Sequence, residues 1–343
     1  MRALALNTGS DFHLLDHIAP LADLLGISLV TTEEKNFKLA KAFYPKTHVQ
    51  YIPDLEFRFK ELSESYDVLI ECKYWKPHLK KLFLDLYQKE ITLVFCPHGQ
   101  SDKGFGFPLL APYEDQDAVL IYGHLMEEML SSLNIKPKKT VLVGNYRKKF
   151  YETKKSFYDE ALRKEIQLDS SKRTVLYAPT WKDADEKGSF LEYGLRVIKE
   201  VPGDWNLILK IHPLLEERNP VEYFQVIRHL EKKRNAFLLD AFPPVYPVLN
   251  IADVYLGDFS SVGYDFLSFG RPLFFLPTES PTRIYSCGKM LDPSKNIYTQ
   301  LENLDVFQEE QKKLYLHAFS QTPKDILTQL AAGQKEFEGH LNC

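Results

Sequence analysis

The chain has 343 residues, 44% of them hydrophobic and 26% charged, which is long for one core and comfortable for two. A formal net charge of -4 removes any global electrostatic case for nucleic-acid binding, and no segment approaches the ~20 apolar residues that a membrane span needs. The four cysteines, Cys72, Cys96, Cys287 and Cys343, share no paired spacing, which argues against a zinc ribbon or a disulfide framework and fits a reducing compartment.

The opening stretch, "MRALALNTGSDF", has too short an apolar run for the core of a signal peptide. A cytoplasmic protein is expected, with peripheral contact at the inner face of the membrane left open. Apolar runs then recur at 3–6, 27–30, 68–70, 92–95, 118–122 and 140–143. They carry Val, Leu and Ile at nearly every position, as strands covered on both faces must. Between the first two runs, Leu14, Ile18, Leu21 and Leu25 form one helical stripe with Gly26 as its stop. Strand, helix and strand at this spacing predict right-handed crossovers and a parallel sheet. His13 and His17 stand one helical turn apart, a spacing that permits zinc. No third ligand is evident in the sequence, so they read as surface or cleft-facing residues. The basic clusters at 136–139 and 146–155 read as solvated faces or a connection.

A second series follows the polar stretch 151–173, with runs at 174–178, 206–211, 236–239, 253–257 and 272–276. The fold class is therefore α/β, two consecutive doubly wound units. The boundary is placed between 155 and 156, with the tail "DILTQLAAGQKEFEGHL" closing the second unit as a helix.

In open parallel sheets ligands bind beyond the carboxyl ends of the strands, and the unusual residues cluster there. In "ADVYLGDFSSVGYDFLSFGRPLFFL", Asp258 ends a strand and Ser260 and Ser261 stand at a helix start. That start offers backbone N–H groups, the positive dipole end and two hydroxyls, an anion site suited to a diphosphate. Asp265, one turn on, is placed to bond ribose hydroxyls. "LILKIHP" ends in Lys210 and His212, with Pro213 turning the chain away. "VLYAPTWKD" ends in Thr180, a donor to phosphate, and Trp181, a stacking surface for a base or sugar. The acids of "DAD", Asp183 and Asp185, sit in a run that reads as a solvated loop, so no metal and no cofactor is expected. After the run 92–95 comes "CPHGQSDKG": His98 can take a hydroxyl proton near neutral pH, Gly99 lets a ligand approach the backbone, and Lys103 offers a point charge.

In order along the chain, "HGQSDKG", "GNYRKKF", "YAPTW", "LKIHP" and the Asp-aromatic-Ser-Ser block resemble the CDP-glycerol glycerophosphotransferase family, the teichoic acid polymerases, over roughly residues 92–277. The resemblance implies a GT-B fold: two Rossmann-like domains facing across a cleft, acceptor side first and nucleotide donor second. It implies transfer of a polyol phosphate from a CDP-alditol to a hydroxyl of a glycan, lipid-linked or polyol phosphate acceptor, releasing CMP. It makes His98 the base, His212 a contact or proton donor to the donor phosphates, Ser260 and Ser261 the diphosphate hydroxyls, and Arg147 the arginine of a family turn. Gln100, Ser101 and Asp102 replace the usual Thr-Pro-Leu, and Tyr146 replaces the turn proline, both on the acceptor side. The same-fold alternative is a nucleotide-sugar glycosyltransferase or UDP-GlcNAc 2-epimerase-like enzyme. A non-catalytic nucleotide-binding protein is the alternative of a different class.

Overall fold

Unbroken runs of Val, Leu and Ile have no polar face to offer water, so they settle in sheets covered on both sides. The computed structural model describes residues 1–101, 110–181, 188–278, 282–302 and 305–331, and holds two such sheets, each in its own unit.

The first unit contains β1 (Ala3–Asn7), β2 (Ser28–Thr31), β3 (Val49–Tyr51), β4 (Val68–Glu71), β5 (Thr92–Phe95), β6 (Ala118–Ile121) and β7 (Thr140–Leu142). All pair in parallel, in the order β3-β2-β1-β4-β5-β6-β7. The helix Leu15–Leu25 links β1 to β2, buries Leu15, Ile18 and Leu21, and ends at a left-handed Gly26, as its apolar stripe predicts. Leu4, Leu6, Leu69 and Leu93 pack with Trp75 and Phe83 on one side of the sheet. β3 is absent from the sequence reading, because only Val49 of its three residues is buried.

The second unit contains β8 (Arg173–Tyr177), β9 (Trp205–Leu209), β10 (Ala236–Leu238), β11 (Val254–Gly257), β12 (Leu273–Phe275) and β13 (Lys289–Met290). Again all are parallel, in the order β10-β9-β8-β11-β12-β13. Val175, Leu207, Leu209, Val254, Leu256 and Phe274 are buried in one apolar cluster. Each such side chain contributes about 1.5–3 kcal/mol relative to exposure.

The strand orders decide where chemistry can sit. Successive strands add outward from a starting strand and then jump to its other side. This leaves a crevice between β1 and β4 in the first sheet and between β8 and β11 in the second, the points where open α/β sheets bind ligands.

The chain divides between Thr153 and Lys154. The tail departs from the sequence reading: the described residues from Phe319 group with the first unit, not the second. The side chain of Lys139, just before β7, donates to the carbonyls of Gln329 and Leu330 on the helix Ile326–Ala331. Gly144 has φ +62°, and the backbone carbonyl of Ser320 fills the space where a Cβ would stand, so only glycine fits there. Among the described residues, no helix is long and apolar enough to cross a membrane.

Candidate active site

In the second unit, the loops after β8, β9 and β11 bring the singled-out residues together. The Asp258 carboxylate follows β11 and is 0% exposed. One oxygen accepts from the backbone N–H of Thr180 at 2.9 Å; the other accepts from the N–H of Ser189 at 2.9 Å and from its hydroxyl at 2.8 Å. The hydroxyl of Tyr255 on β11 donates to the Ala178 carbonyl at 3.2 Å, a second tie across the β8–β11 crevice. Asp258 thus fixes the two ends of the 180–189 segment, and this corrects the expectation that it contacts the donor. A carboxylate withdrawn from water needs donors on both oxygens, and backbone N–H groups supply them.

Asp265 also departs from expectation. It is 2% exposed and accepts from the Tyr246 hydroxyl at 3.0 Å, so its carboxylate is partnered within the unit. Ser260 acts as an N-cap, its Oγ accepting from Val262 N–H at 3.4 Å, while Ser261 is half-buried in the first helical turn. Thr180 is buried.

Trp181, Lys210, His212 and Ser261 are the partly open members of this set. The rings of Trp181 and His212 lie 5.9 Å apart, and the Arg218 guanidinium sits 4.7 Å from the Trp181 ring centre. His212 caps the helix Pro213–Arg218, its Nδ1 accepting from Leu214 N–H at 3.2 Å. The neutral ring therefore carries its proton on Nε2, as a donor suited to an anion. Lys210 reaches the Leu239 carbonyl at 3.5 Å.

In the first unit, β5 ends at Phe95 and Cys96-Pro97 leads to an exposed His98. Gly99 has φ +110°, a conformation that residues with a Cβ rarely adopt. The structure supplies what spacing could not: His98 stands edge-on to both His13 and His17, at ring separations of 6.3 Å each. Among the described residues, no group of His, Cys, Asp or Glu is arranged to hold a metal ion. Burial, then the charges of Arg147, His98 and His13, hold His17 well below the usual histidine range, so it is neutral.

Arg147 is corrected as well. Its guanidinium is 2% exposed and donates to Asp16 Oδ2 at 2.7 Å, while the Tyr151 hydroxyl donates to Asp16 Oδ1 at 2.6 Å. It balances a buried carboxylate in the interior of the unit and is no surface contact for an acceptor. Lys103, Asp183 and Asp185 lie outside the described residues.

Sequence reasoning missed Glu71, Ser189 and Tyr122. Glu71 ends β4 at the β1–β4 crevice, where the Thr8 hydroxyl and N–H donate to Oε1. Burial raises its carboxyl above the ordinary range. No motif flags these residues, because each acts through a partner 12 or more positions away.

Residues 111–314, more than half of the chain, match the model of the CDP-Glycerol:Poly(glycerophosphate) glycerophosphotransferase family. The chain belongs to that family. Its curated relatives include the teichoic acid glycerol-phosphate primase of Bacillus spizizenii, 25% identical over 128 residues, covering 37% of this chain and 30% of the relative. The teichoic acid poly(glycerol phosphate) polymerase of the same organism is 29% identical over 149 residues, covering 41% of this chain and 36% of the relative. The chain thus spans about a third of the length of these relatives. Among solved structures, the wall teichoic acid polymerase TagF superimposes with a TM-score of 0.61 at 15% identity, over 99% of this chain and 90% of that one. The UDP-GlcNAc 2-epimerase of Neisseria meningitidis gives 0.56 at 17% identity, over 96% and 99%. A polymerase and an epimerase share this GT-B fold, so the fold alone does not choose the reaction. The glycerophosphotransferase family match covers all the second-unit residues above; His98 precedes it.

Proposed function

We propose that this chain moves a polyol phosphate from a CDP-alditol, such as CDP-glycerol, to an acceptor hydroxyl in the synthesis of a cell-envelope polymer. The observation that carries the reading is the family match over residues 111–314, which contains Trp181, Lys210, His212 and Ser261, the partly open residues at the ends of β8, β9 and β11. In this reading His98 takes the proton of the acceptor hydroxyl, whose oxygen attacks the β-phosphorus. The bond from that phosphorus to the bridging oxygen breaks, and CMP leaves with the oxygen. His212 donates from Nε2 to a phosphate oxygen, while Lys210 and the Ser261 hydroxyl meet the developing charge. Asp258 and Ser260 serve by holding the loops that present these groups. The acceptor is a polyol phosphate or glycan hydroxyl, and peripheral membrane contact suits a lipid-linked one.

Calorimetric titration tests the donor half. CDP-glycerol should bind, UDP-GlcNAc should bind far more weakly, and Ser260→Ala with Ser261→Ala should weaken CDP-glycerol by about 1.5–3 kcal/mol, the range for hydrogen bonds to charged groups. Preference for the UDP-sugar, or an unchanged affinity in the folded double variant, would reject this assignment.

A further inference from the structure

A hydrogen-bond chain within the first unit ends at Pro97, the residue before His98. The Tyr122 hydroxyl, at the end of β6, donates to the Pro97 carbonyl at 2.7 Å, one residue before His98. The same oxygen lies 3.3 Å from His17 Nδ1. A tyrosine hydroxyl has one proton and a carbonyl only accepts, so that proton is committed to Pro97. His17 must therefore be the donor to Tyr122, which sets it as the neutral Nδ1–H tautomer. The framework around this chain is fixed twice more. The rings of Tyr122 and Tyr146 stack at 6.0 Å and 8°, and the Tyr146 hydroxyl donates to the His17 carbonyl at 3.1 Å. All of these groups except His98 are buried.

We propose that His17 and Tyr122 are positioning residues for His98: through Pro97 they fix where the His98 turn begins, and the edge of the His17 ring limits how the His98 imidazole rotates. The assignment of a catalytic task rests on the reading of His98 as the base. The tautomer of His17 does not.

Two measurements test it. In nitrogen-edited NMR spectra of histidine-labelled protein, His17 should report the Nδ1–H tautomer, and Tyr122→Phe should move the His17 and His98 signals together. An Nε2–H tautomer, or a Tyr122→Phe spectrum with the His98 signal unmoved, overturns the proposal whatever the activity. In turnover, Tyr122→Phe and His17→Leu should each lower kcat by roughly 10–100-fold with KM for CDP-glycerol unchanged, and together no more than either alone. His17→Asn, which keeps an N–H at the Nδ1 position, should stay within about threefold of the parent. Equal losses in the Asn and Leu variants, or parental kcat in both Tyr122→Phe and His17→Leu, would refute positioning through the hydrogen bond. His98→Ala is the reference. If it keeps full turnover, the base assignment falls; if it alone loses turnover, only the positioning inference falls.

Discussion

Replacing Asp258 separates a residue that holds a site together from one that touches its ligand. The carboxylate is fully buried and receives three hydrogen bonds of 2.8–2.9 Å from Thr180 and Ser189. In Asp258→Ala the three donors lose their acceptor, at roughly 1–3 kcal/mol each, while the variant escapes the several kcal/mol needed to bury a carboxylate. The balance is a net loss of roughly 1–5 kcal/mol, since the donors left behind are neutral. Asp258→Asn retains one oxygen for Thr180 N–H, and the Ser189 hydroxyl can turn to accept from the new amide. Only the Ser189 backbone N–H is then unmet, for about 2 kcal/mol, or roughly 30-fold in the unfolding equilibrium. Urea unfolding followed by tryptophan fluorescence reads this directly, since Trp181 and Trp205 lie in the second unit. CDP-glycerol affinity should fall alongside stability, because the 180–189 segment loses its anchor. Stability unchanged within about 0.5 kcal/mol, with binding lost, would mean that Asp258 is a ligand contact and not an anchor of the 180 and 189 positions.

Arg147→Met should cost about 3–5 kcal/mol by stranding the buried Asp16 carboxylate, and Asp16→Leu with Arg147→Met should recover part of that loss, as urea titration of both variants will report. Glu71 has a folded pKa raised by burial, so the unfolded chain releases this proton first as pH rises and the native state loses stability on the way to neutrality. Glu71→Gln, which keeps an acceptor for Thr8, should therefore be more stable than the parent at pH 7, with the difference vanishing toward about pH 4. A constant difference across that range would rule out a raised Glu71. His17, depressed by burial, has the opposite sense: the unfolded chain protonates first as pH falls below about 6.5, so native stability declines there, and His17→Asn should flatten that decline in thermal melts.

The sheets were legible because covered parallel strands are apolar along most of their length, as β1 and β4 through β6 are apart from Asn7, Glu71 and Thr92 at strand ends. β13 was not, since Lys289 and Met290 are too few to carry a pattern and only partner the edge of β12. The helix Lys155–Glu165 hid in a stretch read as polar, because only Tyr158 and Leu162 of its residues are buried. Strand-end position singled out His98, Trp181 and His212, which the fold leaves exposed or partly open. It could not tell which charged residues point inward. Asp258, Asp265 and Arg147 each look like ligand contacts in sequence, and each is satisfied inside by a partner distant in the chain: Thr180 and Ser189, Tyr246, and Asp16. The clustering of His13 and His17 with His98 was likewise out of reach, since it depends on β5 and the helix Leu15–Leu25 meeting in the fold.

The reaction is the central claim, and product identity tests it most directly. The chain should be incubated with CDP-glycerol and a glycerol-phosphate-primed acceptor, and the products analysed by mass spectrometry. One CMP should be released for each glycerol phosphate added to the acceptor, with His98→Ala slower by about 10²–10⁴ at unchanged donor affinity. Release of a nucleoside diphosphate from a nucleotide sugar, with CDP-glycerol left intact, would contradict it.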